Sequence, residues 1–205
     1  VNSIFDSSNQ DNIDRKIAVG FERISEVLKT LIWEESKQTG LSPIQIQFLV
    51  ALLYEGKSEW TIGDIASRFQ LTPATVSDAV SSLEDKELAV RERKPDDRRT
   101  VYIRLSPKGK RLAKKLSLWA NTLQQQIEVL DEEEKGVLLR SLVSIISGFQ
   151  HNELISIAKM CVTCSYFRPN VHKNSTQPHY CAYIDEPLGE PDLRVDCPDY
   201  EMIEV

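Results

Sequence analysis

Residues 61–111 read TIGDIASRFQLTPATVSDAVSSLEDKELAVRERKPDDRRTVYIRLSPKGKR, and the punctuation of this stretch decides the fold. Ile62, Ile65, Ala66 and Phe69 recur at helical spacing behind Thr61, with Asp64 placed to complete a capping pair. Thr72-Pro73 then restarts the chain as a second helix through about Glu87, with Val76, Ala79, Val80 and Leu83 on its inner face. Ala89 to Arg93 and Thr100 to Leu105 alternate as two strands, joined by Lys94-Pro95-Asp96-Asp97-Arg98-Arg99. Ser106-Pro107 opens another helix with proline at its first position. Two short helices about a turn, followed by a basic hairpin, predict a winged helix-turn-helix.

The helical period leaves Ala74, Thr75, Ser77, Asp78, Ser81 and Ser82 on the outer face of the second helix. A short, polar start suits entry into a major groove, and any solvated helix can also look this way. Charge adds a second signal. The chain of 205 residues carries a formal charge of −6, unpromising for a nucleic-acid binder until its distribution is considered. From Ala89 to Lys115 there are eleven Lys or Arg against three acids, a local +8 that leaves −14 elsewhere. A basic stripe on an acidic body docks phosphates in one orientation only. A solvated charged hairpin is the plainer alternative.

The flanks read as long helices. Ile13, Ile17, Phe21, Ile24, Leu28 and Leu31 fall on one face of a helix from about Asn12 to Gln38, ending near Gly40. Ser42-Pro43-Ile44-Gln45 starts a second helix that stops before Gly56, and Trp60-Thr61 suggests a very short strand pairing with the hairpin. Beyond the hairpin, Leu112, Leu116, Trp119, Leu123, Ile127 and Leu130 form a continuous apolar stripe. Asp131 with three following glutamates caps a sixth helix, which Val137, Leu138, Leu142, Ile145, Ile146 and Phe149 carry towards Ala158. The expected fold is mainly α, with six helices, a small β-wing and a small C-terminal metal-binding appendix. Its divisions are an N-terminal dimerisation helix (1–40), the winged helix-turn-helix (41–111), C-terminal dimerisation helices (112–159) and a tail (160–205).

Asp97-Arg98-Arg99, with Leu105-Ser106-Pro107-Lys108-Gly109 beginning six positions beyond Arg99, resembles the wing signature of the MarR family of bacterial transcriptional regulators. The preceding IGDIASRFQLTPATVSDAVSSLEDKELAVRE is similar to that family's third and fourth helices, and the likeness spans roughly Ile13 to Ala158. The resemblance implies a homodimer whose first and last helices interlock, binding double-stranded DNA at a pseudo-palindromic operator. It implies repression as the usual role, often relieved by a small-molecule effector or an oxidant. A two-fold dimer would also require half-sites about one helical turn apart. Candidate base or phosphate contacts are Thr75, Ser77, Asp78, Ser81 and Ser82. Arg98 and Arg99 are candidates for a narrow minor groove, with Asp97 orienting an arginine. Arg91, Arg93, Lys108, Lys110 and Arg111 would hold phosphates. Asp78 departs from the family, in which many members resemble TVSR where this chain has Thr75-Val76-Ser77-Asp78. A carboxylate cannot donate to guanine or phosphate; it can accept from cytosine N4.

From Met160 the helical period fades, and the segment holds every cysteine of the chain as Cys161-x2-Cys164-x16-Cys181-x15-Cys197. No secretory signal or membrane span is read, so a cytoplasmic location and a reducing compartment are expected. Thiols there more often bind metal than pair. Four thiolates would make a closed, structural zinc site. An iron–sulfur cluster takes the same ligands, and Cys197-Pro198 resembles the Cys-Pro that closes many ferredoxin motifs. His172 and His179 are spare ligands, with ordinary loop histidines as the preferred reading. The site is either a brace for the tail or a sensor of metal or redox state. The reactive first-helix cysteine of the family's peroxide sensors is not available, because no cysteine precedes position 161.

Two readings from other classes compete. One is a metal- or cluster-dependent enzyme built on the tail, which no HExxH, phosphate loop or GxSxG motif supports. The other is a protein-interaction module on a degenerate winged-helix scaffold, supported only by Asp78.

Overall fold

The computed structural model describes residues 3–5, 12–55, 59–94, 99–155, 158–173 and 176–203. They fall into two compact units. Val1–Tyr54, Ala79–Val90 and Leu105–Gln125 make the first; Glu55–Asp78, Arg91–Arg104 and Gln126–Val205 make the second.

The first unit is built on α1 (Ile13–Thr39), α2 (Pro43–Tyr54) and α5 (Pro107–Leu116). Asn12 caps α1 by accepting from the Arg15 N–H, and Gly40 ends it in the left-handed region at φ 65°. The tight exit explains why glycine stands there. Helix α2 supplies the core: Ile46, Phe48 and Leu49 are fully buried, alongside Val80, Leu83, Ala113 and Leu116 of the same unit. Gln45, also buried, donates to the Ala79 carbonyl and so satisfies its amide inside the core. Helix α4 (Pro73–Asp85) ends two residues before the expected Glu87. There Glu87 turns left-handed at φ 61°, and the Leu88 N–H closes on the Leu83 carbonyl.

The apolar stripe expected as one helix after Ser106 is broken. Helix α5 passes through a 3₁₀ turn at Ser117–Ala120 into α6 (Asn121–Ile127). The Ser117 hydroxyl donates back to the Lys114 carbonyl at 2.9 Å, the kind of side-chain bond that loosens an α-helical ladder.

In the second unit, β1 (Trp60–Thr61) leads into α3 (Ile62–Phe69). Thr61 and Asp64 form the expected capping box. Three strands make a sheet in the order β1-β3-β2, with β2 Ala89–Glu92 and β3 Tyr102–Leu105. Trp60 pairs with Ile103 and Thr61 with Tyr102, so the short strand does join the hairpin. Helix α7 (Glu132–His151) begins at a capping box of Asp131 and Glu134. It does not reach Ala158: Asn152 folds its amide onto the Gly148 carbonyl, and Glu153 turns left-handed at φ 57°. With α5 and α6 counted as one interrupted stretch, the six expected helices are present.

The tail carries a second small sheet, in which β5 (His179–Cys181) lies between β4 (Phe167–Arg168) and β6 (Glu186–Leu188). A 3₁₀ turn at Glu190–Asp192 packs on α7. Among the described residues no helix is long and apolar enough to cross a membrane.

Candidate nucleic-acid interface and thiolate cleft

Helix α4 presents the face expected for a groove. Val76, Val80 and Leu83 are fully buried; Ala74, Thr75 and Asp78 are exposed; Ser77, Ser81 and Ser82 are half-buried. At its start the Thr72 hydroxyl accepts from the Thr75 N–H and shares a hydrogen bond with the Thr75 hydroxyl. Thr75 is therefore held at the exposed tip of the helix, where backbone N–H groups and the dipole favour phosphate.

The wing is tied to this tip. The Arg91 guanidinium donates to the Ser77 carbonyl at 3.1 Å and to its hydroxyl at 3.3 Å. Arg93 and Arg99 are exposed. Asp97 and Arg98 lie outside the described residues. Much of the remaining positive charge is matched within the sheet. Arg104 pairs with Glu92 at 3.1 Å and approaches Glu59, which also binds Lys94. The hydrogen bond that the Lys94 ammonium donates to Glu59 raises its pKa, and the same ammonium sits 5.2 Å above the Tyr102 ring. No sequence pattern marks Glu59, which stands one residue before a two-residue strand whose pairing only the fold reveals.

Lys108 is placed differently from a phosphate ligand. Its ammonium donates to the Lys86 carbonyl at 2.9 Å and pairs with Glu87 at 3.0 Å, a cation at the C-terminal end of α4. Lys110 and Arg111 are exposed on α5.

In the tail, Cys161, Cys164, Cys181 and Cys197 line a single cleft of about 380 Å³, and all four are free thiols. Cys161 and Cys164 flank one 3₁₀ turn, Cys181 ends β5, and Cys197 is anchored by its N–H to the Lys159 carbonyl. Arg194 serves two sulfurs: its backbone N–H donates to Cys161 Sγ at 3.2 Å and its guanidinium to Cys197 Sγ at 3.6 Å. Burial pushes the Cys161 thiol up, the Arg194 N–H opposes that shift, and Cys197, Cys181 and Cys164 add to it. Although the thiols share the cleft, among the described residues no group of three or more His, Cys, Asp or Glu is gathered so that it could hold a metal ion.

His179 is not the loop histidine expected. It is buried in β5 with its ring against Phe167, and its Nδ1 accepts from the Asn170 N–H at 3.2 Å. Its Nε2 lies 3.5 Å from Glu190, which also faces Arg140 of α7 at 3.5 Å. It lies outside the cleft lining and links the small sheet to the turn that packs on α7. His172 is exposed, edge-on to Tyr180. A second cleft, of about 550 Å³, joins Asp64, Ser67 and Arg68 of α3 to Lys159, Val195 and Asp196. The residue before Cys197 thus borders the first helix of the helix-turn-helix.

Comparison with known proteins gives the same organisation. The model of the MarR family matches residues 39–100. The HTH-type transcriptional regulator YsmB of Bacillus subtilis (strain 168) is 28% identical over 130 residues, covering 63% of this chain and 88% of that protein. S. aureus MepR in its DNA-binding conformation superposes with a TM-score of 0.57 at 26% identity, covering 65% of this chain and 98% of that one. The S. aureus MepR–DNA complex gives 0.55 at 27%, covering 65% and 97%. These solved proteins are almost wholly used up while about a third of this chain remains outside the match. The relatives and solved neighbours named here are described as transcription regulators, which favours the regulator reading over the enzyme one. Family match, relatives and solved neighbours point the same way: residues 39–100 match the model of the MarR family, and the chain is similar over about two thirds of its length to winged-helix regulators such as S. aureus MepR.

Proposed function

We propose that this protein is a homodimeric, sequence-specific DNA-binding repressor whose tail holds a four-thiolate metal site. The observation that carries the DNA reading is the exposed tip of α4, with Thr75 and Asp78 outward and the basic wing fastened to it through Arg91 and Ser77. Thr75, Ser77, Asp78, Ser81 and Ser82 read or position bases, with Asp78 accepting from cytosine N4. Arg98 and Arg99 enter the minor groove, while Arg91, Arg93 and Lys108 supply positive potential beside the phosphates. Lys108 acts there while holding the end of α4.

Dimerisation is supported by two apolar stripes that each unit leaves uncovered. On α1, Ile13, Ile17, Phe21, Ile24 and Val27 are exposed, Ile13 by 64%; on α7, Val137, Ile145 and Phe149 are exposed. Apolar rows at helical spacing are what a helical dimer seam would bury. The tail fits a sensing role because Asp196, next to Cys197, borders the α3 cleft. A change at the thiols therefore has a short path to the reading head.

Gel shifts on the DNA upstream of its own reading frame test this reading, comparing the full chain with the Arg98→Ala/Arg99→Ala variant. A shifted pseudo-palindromic site, lost or weakened in the variant, is expected. Equal binding by the two would overturn the wing assignment.

A further inference from the structure

The outer face of the wing sheet carries a ladder of charges that ends on a residue outside the wing. In the antiparallel pairing of β1 with β3, Trp60 lies opposite Ile103 and Thr61 opposite Tyr102. One step back along the chain, the same register brings Glu59 opposite Arg104. Ile103 and Leu105 are buried, so strand alternation turns Tyr102 and Arg104 to the outer face. Arg104 reaches Glu92 of β2 on one side at 3.1 Å and Glu59 on the other at 3.9 Å. Glu59 also binds Lys94, two residues beyond the end of β2, and the Lys94 ammonium lies over the Tyr102 ring.

Two carboxylates thus face two cations, and the ladder has no net charge. Cross-strand pairs of opposite charge stabilise the pairing of strands. Here a single carboxylate touches both β3 and the chain that leaves β2. From Lys94 that chain goes on to Arg98 and Arg99 before it returns as β3. In the other direction Glu59 is joined through Trp60 to Thr61, the residue that caps α3. These contacts have two consequences of opposite sign. Neutralising Lys94 and Arg104 weakens the field that attracts phosphates. Tying them down fixes the base of the wing to the strand that leads into α3. The second effect should win, because a loop that must be ordered on binding costs affinity, whereas one more mobile charge adds little.

We propose that Glu59 is a positioning residue for DNA binding, which through Lys94 and Arg104 holds the base of the wing against the strand leading into α3. Lys94 and Arg104 are then anchors and not phosphate ligands. The proposal rests on the DNA-binding reading above and is independent of the tail.

The test uses the full chain carrying Glu59→Gln, Glu59→Asp or Lys94→Gln, each checked for folding by circular dichroism. Affinity is measured over a salt series on the upstream duplex that the gel shift selects, and hydrogen exchange is followed without DNA. Glu59→Gln should bind about fivefold more weakly, the most that an exposed ion pair is usually worth. Its salt slope should be unchanged and its faster exchange confined to the wing strands. Glu59→Asp keeps the charge and should regain most of the affinity. Lys94→Gln should weaken binding with the slope intact. Tighter binding by Glu59→Gln, with a slope steeper by about 0.9, would show that the carboxylate only masks a cation and would overturn the proposal. A slope shallower by that amount in Lys94→Gln would make Lys94 a phosphate ligand and overturn it too. A parent chain that shifts no duplex overturns the DNA-binding reading and the proposal together. Equal binding by the parent and Glu59→Gln overturns the proposal alone.

Discussion

Gly109 lies against Leu88 so closely that a Cβ built on it would stand 1.9 Å from the Leu88 carbonyl oxygen and 2.9 Å from the carbonyl carbon. The oxygen is backbone and is already accepting from the Ser106 N–H at 3.1 Å, so it has little room to retreat. The Ser106 hydroxyl completes the joint by donating to the Glu87 carbonyl and accepting from the Gly109 N–H. The run Leu105-Ser106-Pro107-Lys108-Gly109 is therefore a device for locking the start of α5 onto the end of α4. Gly109→Ala should cost about 3 kcal/mol, the upper end of the overpacking range, read as a lower denaturant midpoint at unchanged slope. Wild-type stability would mean that the contact is looser than described.

Removing wing charge should change how binding responds to salt. If Arg98 and Arg99 each neutralise one phosphate, Arg98→Ala/Arg99→Ala makes the log–log salt slope shallower by about 1.8. Affinity should fall by about tenfold or more. A parallel loss of affinity with the slope intact would mean that these arginines act through the fold and not on the duplex.

The uncovered stripe on α1 predicts a change of mass. Ile17→Glu with Phe21→Glu replaces two exposed apolar side chains, so the isolated chain should stay folded by circular dichroism. Light scattering should report half the parent mass, and operator affinity should drop because one head then binds alone. A dimer of unchanged mass would place the seam elsewhere.

The turn at Glu190–Asp192 packs on α7 through Pro191, whose Cγ would lie 3.8 Å from a Cβ at Gly136. That is an ordinary contact. Gly136→Ala should be tolerated, whereas Gly136→Leu should wedge the turn off the helix, assisted by loss of the neighbouring Arg140–Glu190 contact. Limited proteolysis would read the difference as faster cleavage within residues 160–203 in the leucine variant alone. Equal resistance of both variants would show that this packing does not hold the tail.

Local chemistry made the winged region legible. Thr61 with Asp64, Ser42 with Gln45, Ser106 with Pro107, and Asp131 with Glu134 are short-range capping devices, and each appears where it was expected. What depended on tertiary contact was not legible. The stripe from Leu112 to Leu130 has an unbroken period, but the Ser117 hydroxyl interrupts the helix beneath it. Lys108 reads as one more wing cation until the end of α4 is seen beneath it. His179 sits two positions from Cys181 and so suggests a ligand. Strand alternation points the two residues alike, yet the histidine is buried against Phe167 and Glu190 instead. Arg194 could not be singled out, because only the fold brings its N–H to a cysteine distant in sequence.

The bond from Arg91 to Ser77 has a bearing on control. It fastens the wing to the leading turn of α4, so a head that tilts carries both contacts with it. On the proposed dimeric reading, an inducing signal would have no need to dismantle the reading surface. It would act as on a pair of calipers, changing the span between two intact tips until they no longer match the pitch of the duplex.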